Sequence, residues 1–180
     1  MKGEKILEGN KREKTLFSRE EINDRIKALG VDLSKYYENK NLVVVSLLRG
    51  SFIFAADLVR EITTPVEVDF ITTASYGNSE VSSGVVEIIH DLRTDVKGKD
   101  ILIVDDIIDS GYTLNRVIEH IKEKSPNSVK VCVLLDKPSR RQVDLTPDFK
   151  GFTIPDVFIV GYGLNYGDHY RNIPYIFTFE

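Results

Sequence analysis

Ile101 to Val104 is a continuous apolar run, too short for a helix and rich in β-branched residues, and it passes directly into the acidic pair Asp105-Asp106. Such a run reads as a strand buried on both faces, the kind found inside a parallel sheet. Ile107, Ile108 and then Asp109-Ser110-Gly111-Tyr112-Thr113 follow, after which Leu114, Val117, Ile118 and Ile121 recur at helical spacing. A buried strand that turns through small polar residues into a helix restricts the chain to an α/β architecture with a mostly parallel sheet.

The same junction is an anion cradle. The first N–H groups of a helix are unpaired, and its dipole places partial positive charge there. Ser110, Gly111 and Thr113 suit a phosphate, since glycine lets the backbone come close and hydroxyls donate hydrogen bonds. Asp105, Asp106 and Asp109 would repel that phosphate. They must face sugar hydroxyls, a magnesium ion or a proton to be moved. An acidic pair after I-L-I-V also opens phosphorylated receiver domains, but such a domain needs about 120 further residues, and only residues 107–180 remain.

The remainder of the chain repeats this grammar. Ser18 and Glu21 form a capping box for a helix with Ile22, Ile26, Leu29 and Leu33 on one stripe. Leu42 to Leu48 is a second buried strand, and Arg49-Gly50-Ser51 leads from it into a helix, giving a second anion site with a cation added. Val66 to Thr73 reads as a strand, residues 74–84 as a polar binding loop or lid, and Val85 to Ile89 as a further strand. Val129 to Leu135 is another buried strand, with Asp136-Lys137-Pro138 at the carboxyl end, the edge where open α/β sheets bind ligands. From Phe149 the sequence is rich in aromatics, glycine and proline and reads partly as a small hood. Gly161-Tyr162-Gly163 follows no βαβ pattern and is no dinucleotide fingerprint.

Composition removes several classes. Twenty-four Lys plus Arg against 28 Asp plus Glu give a net charge of −4 with no long basic run, which argues against nucleic acid as a partner. Cys132 is the only cysteine, so no internal disulfide forms, and its apolar strand makes it a buried inert thiol. His90, His120 and His169 lack metal-ligand spacing, and His120 is expected to face solvent. There is no apolar leader and no run of 18 apolar residues, so no membrane partner is expected and the protein is read as soluble and cytoplasmic.

These motifs, in this order, resemble the type I purine phosphoribosyltransferases: the D-D-I-I-D-S-G-Y-T loop, L-R-G-S at Leu48, D-K-P at Asp136, then G-F-x-I-P-D and V-G-Y-G. D-K-P and the later segments narrow the likeness to the hypoxanthine-guanine group. The resemblance runs from about Leu42 to Tyr175. It implies a twisted, mostly parallel sheet flanked by helices in one domain over residues 1–180, with a core of about 38–148 and a hood from the N-terminal and C-terminal segments. It also implies transfer of phosphoribose from 5-phosphoribosyl 1-pyrophosphate to N9 of hypoxanthine or guanine, with Mg2+ as cofactor, in a homodimer or homotetramer. The alternative is a regulatory protein of the same fold that senses phosphoribosyl pyrophosphate.

Residue by residue, the resemblance makes Asp109 the base that takes the purine N7 proton, and Ser75-Tyr76 the closing catalytic loop. Arg49 and Gly50 belong to the pyrophosphate loop, where the peptide before Arg49 can be cis. Ser110, Gly111, Tyr112 and Thr113 bind the 5-phosphate, and Asp105 and Asp106 hold the ribose hydroxyls directly or through magnesium. Lys137 meets the oxygen on carbon 6 of the purine, Phe158 stacks on the base, the Ile159 backbone reads its edge, and Arg171 contacts pyrophosphate. Two positions depart from the pattern. Asp105 stands where Glu is usual and is shorter by about 1.5 Å. Asn165 stands where an Asp helps bind magnesium, and it offers only an amide oxygen.

Overall fold

Strands without a polar face need cover on both sides, and the topology supplies it. The structure, a computed structural model, describes residues 12–75 and 86–180. Its elements are β1 (Glu13–Phe17), α1 (Arg19–Tyr36), β2 (Leu42–Leu48), α2 (Phe52–Glu61), β3 (Val66–Ser75), β4 (Val86–His90), β5 (Asp100–Ile108), α3 (Tyr112–Lys122), β6 (Ser128–Asp136), β7 (Phe149–Thr153) and β8 (Ile176–Phe179). Six strands form one sheet in the order β4-β3-β2-β5-β6-β7, parallel throughout except for β4, which runs antiparallel to β3. The mostly parallel α/β sheet expected from the sequence is the observed fold.

Alternation along the central strands divides the core between the two faces. Leu42, Val44, Leu102, Val104, Cys132 and Leu134 pack with Ile22, Ile26, Leu29 and Leu33 of α1 and with Phe54 and Leu58 of α2. Val43, Val45, Ile101, Ile103, Val131 and Val133 point the other way, onto Leu114, Val117, Ile118 and Ile121 of α3. The α1 stripe is anchored by its capping box: Ser18 Oγ accepts from the Glu21 N–H at 3.2 Å, and the Glu21 carboxylate accepts from the Ser18 N–H at 2.8 Å. Cys132 is wholly buried, and burial pushes its thiol up, away from the reactive thiolate.

Two expectations are corrected here. Phe149–Thr153 is no part of an irregular hood, because it forms β7 and hydrogen-bonds to β6 at the sheet edge. Aromatic contacts cover it: Phe152 stacks on Phe17 at 4.1 Å between ring centroids, and Phe149 meets Tyr36 edge-on at 5.5 Å. His120 does not face solvent freely, because its Nε2 lies 2.9 Å from Asp91, whose other oxygen takes Lys124 at 2.6 Å. Burial pushes the Asp91 carboxyl up, but Lys124 and His120 outweigh it and pull its pKa down to about 2. The hood itself is a separate two-stranded antiparallel sheet of β1 and β8, extended by a bridge between Val160 and Phe177.

Asp69, in the middle of β3, ties the sheet to the connection after β4. Its carboxylate is buried and accepts the N–H groups of Arg93 and Thr94 at 2.7 Å and of Phe70 at 2.8 Å. Burial pushes this carboxyl up, yet the three N–H donors outweigh it and hold its pKa below the ordinary value. A depressed folded-state pKa gives stability that is complete above the unfolded value, about 4, and is lost as the pH falls through the folded one. Asp69→Asn should therefore cost about 1–3 kcal/mol at neutral pH. In urea denaturation, the gap between parent and variant should close as the buffer is taken below about pH 4. A gap that stays constant to strongly acidic pH would assign it to shape instead of charge.

Candidate active site

The carboxyl ends of β2 and β5 are neighbours in the sheet, with Ser46 of β2 paired to Val104 of β5. The turns that follow them therefore open side by side, with α2 and α3 both starting at this edge. A cleft forms between them, lined by Arg49 and Gly50 from the first turn and by Asp105, Asp106, Asp109, Ser110, Gly111 and Thr113 from the second. Thr73 of β3, which sequence reading passed over as a strand residue, also reaches this cleft. Neither helix has a side-chain hydrogen bond at its N-cap, Ser51 for α2 and Gly111 for α3, so their leading N–H groups are not capped from within. The Ser51 hydroxyl is engaged elsewhere, 2.7 Å from Ser46 Oγ and donating to the Leu47 carbonyl. The Leu48–Arg49 peptide is cis, as the resemblance allowed.

Asp105 and Asp106 are the last residues of β5 before its terminal Ile107-Ile108, and both line the cleft. Asp105 is 7% exposed. Burial first, and the neighbouring Asp106 second, hold its carboxyl well above the usual carboxylate range, and burial raises Asp106 also. The Asp106 carboxylate lies against Gly50, where a Cβ would come within 1.9 Å of Oδ2. On its other side Gly50 is met by Gly163 (φ +100°), whose Cβ would lie 2.2 Å from the Gly50 carbonyl oxygen. Arg171 secures that approach by donating to the Gly163 carbonyl at 2.6 Å, and its charge draws the Asp106 carboxyl down against the effect of burial.

The turn after β6 closes the third side. The Lys137 N–H donates to the Ile108 carbonyl at 3.0 Å, and the Gln142 N–H donates to the Ser110 carbonyl at 2.9 Å, so this segment grips both ends of the Asp109 turn. Arg140 Nε donates to the Asp109 carboxylate at 3.1 Å, and Arg141 Nε to the Asp109 carbonyl at 3.0 Å. Arg141 also pairs at 2.6 Å with the buried Asp136, which takes Lys150 at 3.0 Å on its second oxygen. In the sequence, Arg140 and Arg141 stand three and four residues after Lys137 with no pattern that links them to Asp109. Only the register of β6 against β5 reveals that they hold Asp109.

The structure thus gathers most of the expected residues in one place and leaves others apart. Tyr112 opens α3 beside the cleft without lining it. Ile159 is buried in the core on the α1–α2 face. Phe158 is 56% exposed and forms a separate aromatic recess with Tyr166, 5.7 Å away and edge-on, together with Phe179. Asn165 is exposed, its amide N–H turned onto the Gly167 carbonyl, and it does not line the cleft of the acidic pair. Ser75 ends β3, and Tyr76 lies outside the described residues.

Two helix N-termini without side-chain caps meet the buried Asp105 and half-buried Asp106 at a parallel-sheet edge, and the family model for the phosphoribosyl transferase domain matches residues 14–167. The chain belongs to that family. Within it, the chain is similar to hypoxanthine-guanine phosphoribosyltransferase of Bacillus subtilis (strain 168), 50% identical over 164 residues that make up 91% of each protein. It is likewise 50% identical to hypoxanthine phosphoribosyltransferase of Haemophilus influenzae over 89% of this chain and 92% of the relative. A crystal structure of hypoxanthine phosphoribosyltransferase from Staphylococcus aureus superposes with a TM-score of 0.90 at 42% identity, over 93% of this chain and 91% of that one.

The stacked glycines predict a contrast. Ala at Gly50 collides with a carboxylate that can swing aside, whereas Ala at Gly163 meets backbone at a positive φ. Gly163→Ala should lower stability by about 1–3 kcal/mol and Gly50→Ala by less. Thermal melting of the two variants checks the order, which a larger loss for Gly50→Ala would reverse.

Proposed function

We propose that this protein is a purine-salvage transferase that moves phosphoribose from 5-phosphoribosyl 1-pyrophosphate to N9 of hypoxanthine or guanine, releasing pyrophosphate. The observation that carries the reading is the single cleft in which two helix N-termini flank Asp105 and Asp106, with Asp109 at its mouth. A doubly phosphorylated sugar has an anion at each end and hydroxyls between. That is the order of charge the cleft offers: N–H groups of the Ser110–Thr113 turn, then carboxylates, then N–H groups and the Arg49 cation. Family membership and relatives of that activity support the same reaction and do not favour the regulatory alternative.

In the transfer, the bond from sugar carbon 1 to pyrophosphate breaks, positive charge grows on the ribose ring, and the bond from carbon 1 to N9 forms. The carboxylates of Asp105 and Asp106 lie on the side of the cleft where they would hold the hydroxyls of that ring and offset its charge. Asp109 takes the proton that the purine loses from N7, so that the base attacks as the better nucleophile. Arg49 and Arg171 receive the pyrophosphate, and Lys137 meets the oxygen at carbon 6. Phe158 offers a stacking face for the base beside Ile159, and Ser75-Tyr76 close over the reaction. The chain acts as one domain, with the β1–β8 pair and residues 154–175 as its hood.

The acidic pair also suits a magnesium ion. Asp105 and Asp106 are adjacent hard oxygen donors, Asp105 held above its ordinary pKa by burial and by Asp106, and Asp106 by burial, an arrangement that a cation relieves. Among the described residues no cluster of three metal-ligating side chains occurs, so oxygens of the sugar phosphate would complete the shell. When bound, magnesium neutralises charge on the pyrophosphate and makes it a better leaving group.

Mixed with magnesium, phosphoribosyl pyrophosphate and hypoxanthine, the protein should release pyrophosphate and form inosine monophosphate, and adenine should be a poor substrate. Tight binding of the sugar phosphate with no product from any purine would overturn the assignment. Asp109→Asn keeps the shape and removes the base, so kcat should fall by about 10²–10⁴-fold with little change in affinity for the sugar phosphate. A near-normal kcat would give the proton to another group.

A further inference from the structure

Asp156, the last residue of the G-F-x-I-P-D motif, has no part in the reaction as drawn above, yet it sits where two of its participants meet. The chain leaves β7 with the Ile154 N–H donating to the Asp136 carbonyl at 2.9 Å, and Pro155 fixes the following turn, closed by the Val157 N–H on the Pro155 carbonyl at 2.9 Å. This carries Asp156 across the end of β6. One carboxylate oxygen then lies 3.8 Å from Lys137 Nζ and the other 3.6 Å from Arg140 Nη1, while Arg140 Nε holds Asp109 at 3.1 Å.

Lys137 is 7% exposed, and among the described residues Asp156 is the carboxylate that pairs with its ammonium. A long flexible side chain with a point charge needs such a partner to stay in one place, since its rotamer freedom otherwise spreads the charge over several positions. From these distances we infer that Asp156 is a positioning residue that determines base choice. It holds the Lys137 ammonium where an oxo group on carbon 6 can accept from it, and through Arg140 it keeps the Asp109 carboxylate in register with that contact. The chain Lys137–Asp156–Arg140–Asp109 joins the group that reads carbon 6 to the group that accepts the N7 proton. These are neighbouring positions on one edge of a 6-oxopurine, so a base seated on one is presented to the other. Asp156 and Arg140 are half-exposed, so their pair contributes little to folding, and at 3.8 Å the buried Lys137 ammonium is steered by Asp156 without a hydrogen bond to it, which leaves base recognition as the property this carboxylate controls.

This inference rests on the transfer reaction proposed above. The test is Asp156→Asn in the full chain, assayed with hypoxanthine, guanine and adenine under saturating phosphoribosyl pyrophosphate, with the KM for the sugar phosphate and the melting temperature measured alongside. Loss of one charge-assisted contact predicts a fall in kcat/KM for hypoxanthine and guanine of about tenfold. The preference over adenine should narrow by about the same factor, while the sugar-phosphate KM and the melting temperature stay at parent values. Asp156→Glu, which keeps the charge, should recover part of the loss. Parental kinetics with all three bases in Asp156→Asn would overturn the inference and leave the reaction standing. Equal losses for purine and sugar phosphate, or a lowered melting temperature, would overturn it in favour of a structural role. A parent that transfers phosphoribose to no purine would remove the reaction first.

Discussion

The contact between the Asp106 carboxylate and the backbone of Gly50 fixes the distance between the two halves of the site. Each helix start is made locally, by a strand and the turn after it, and nothing in either unit alone specifies where the other lies. The parallel pairing of β2 with β5 sets them side by side, and the absence of a side chain at residue 50 lets them close until a carboxylate touches main chain. Gly163 then presses on the far side of Gly50 and brings Arg171 with it. A side chain at residue 163 would press on the Gly50 carbonyl and widen the cleft, whereas one at residue 50 would turn the Asp106 carboxylate aside.

Placing Asp105 and Asp106 in that wall works against stability, because buried carboxylates beside one another resist ionisation. Elsewhere the chain pairs its buried acids carefully. Asp69 takes three N–H groups, Asp136 takes Arg141 and Lys150, and Asp100 accepts from Asn127 and Ser128 at 2.8 and 2.6 Å. The acids at the cleft have thinner cover: Asp105 accepts the Asp106 N–H and Asp106 the Ile107 N–H, each at 3.0 Å, and burial still raises both. Strain of this kind confined to one edge of a well-paired sheet is what a charge-handling site requires.

Much of this was legible in the sequence because it depends on local pattern. The runs at Leu42 and Ile101 have one possible use, and the capping box at Ser18 is written in four residues. What stayed hidden depends on tertiary register. β7 reads F-K-G-F-T, with a lysine and a glycine that blur any strand period, and is held by rings from β1 and α1. His120 meets Asp91 from 29 residues away, and Arg140 meets Asp109 from 31, separations at which spacing carries no signal. Asn165, a conspicuous departure in the motif, lies exposed with its amide spent on a neighbouring carbonyl, and the composition of its tripeptide gives no hint of that.

The pairing of β1 with β8 joins residues 13–17 to residues 176–179 and closes nearly the whole chain into one loop. Loop-closure entropy makes that contact the costliest to form, whereas each βα unit of the sheet assembles from neighbours in sequence. As the chain emerges during synthesis, the two βα turns at the cleft are complete once β6 has followed β5. The wall carrying Phe158 waits for β8, because Val160 is bridged to Phe177. The protein therefore completes the cleft between its two βα turns early in its own assembly, and the aromatic recess around Phe158 comes last.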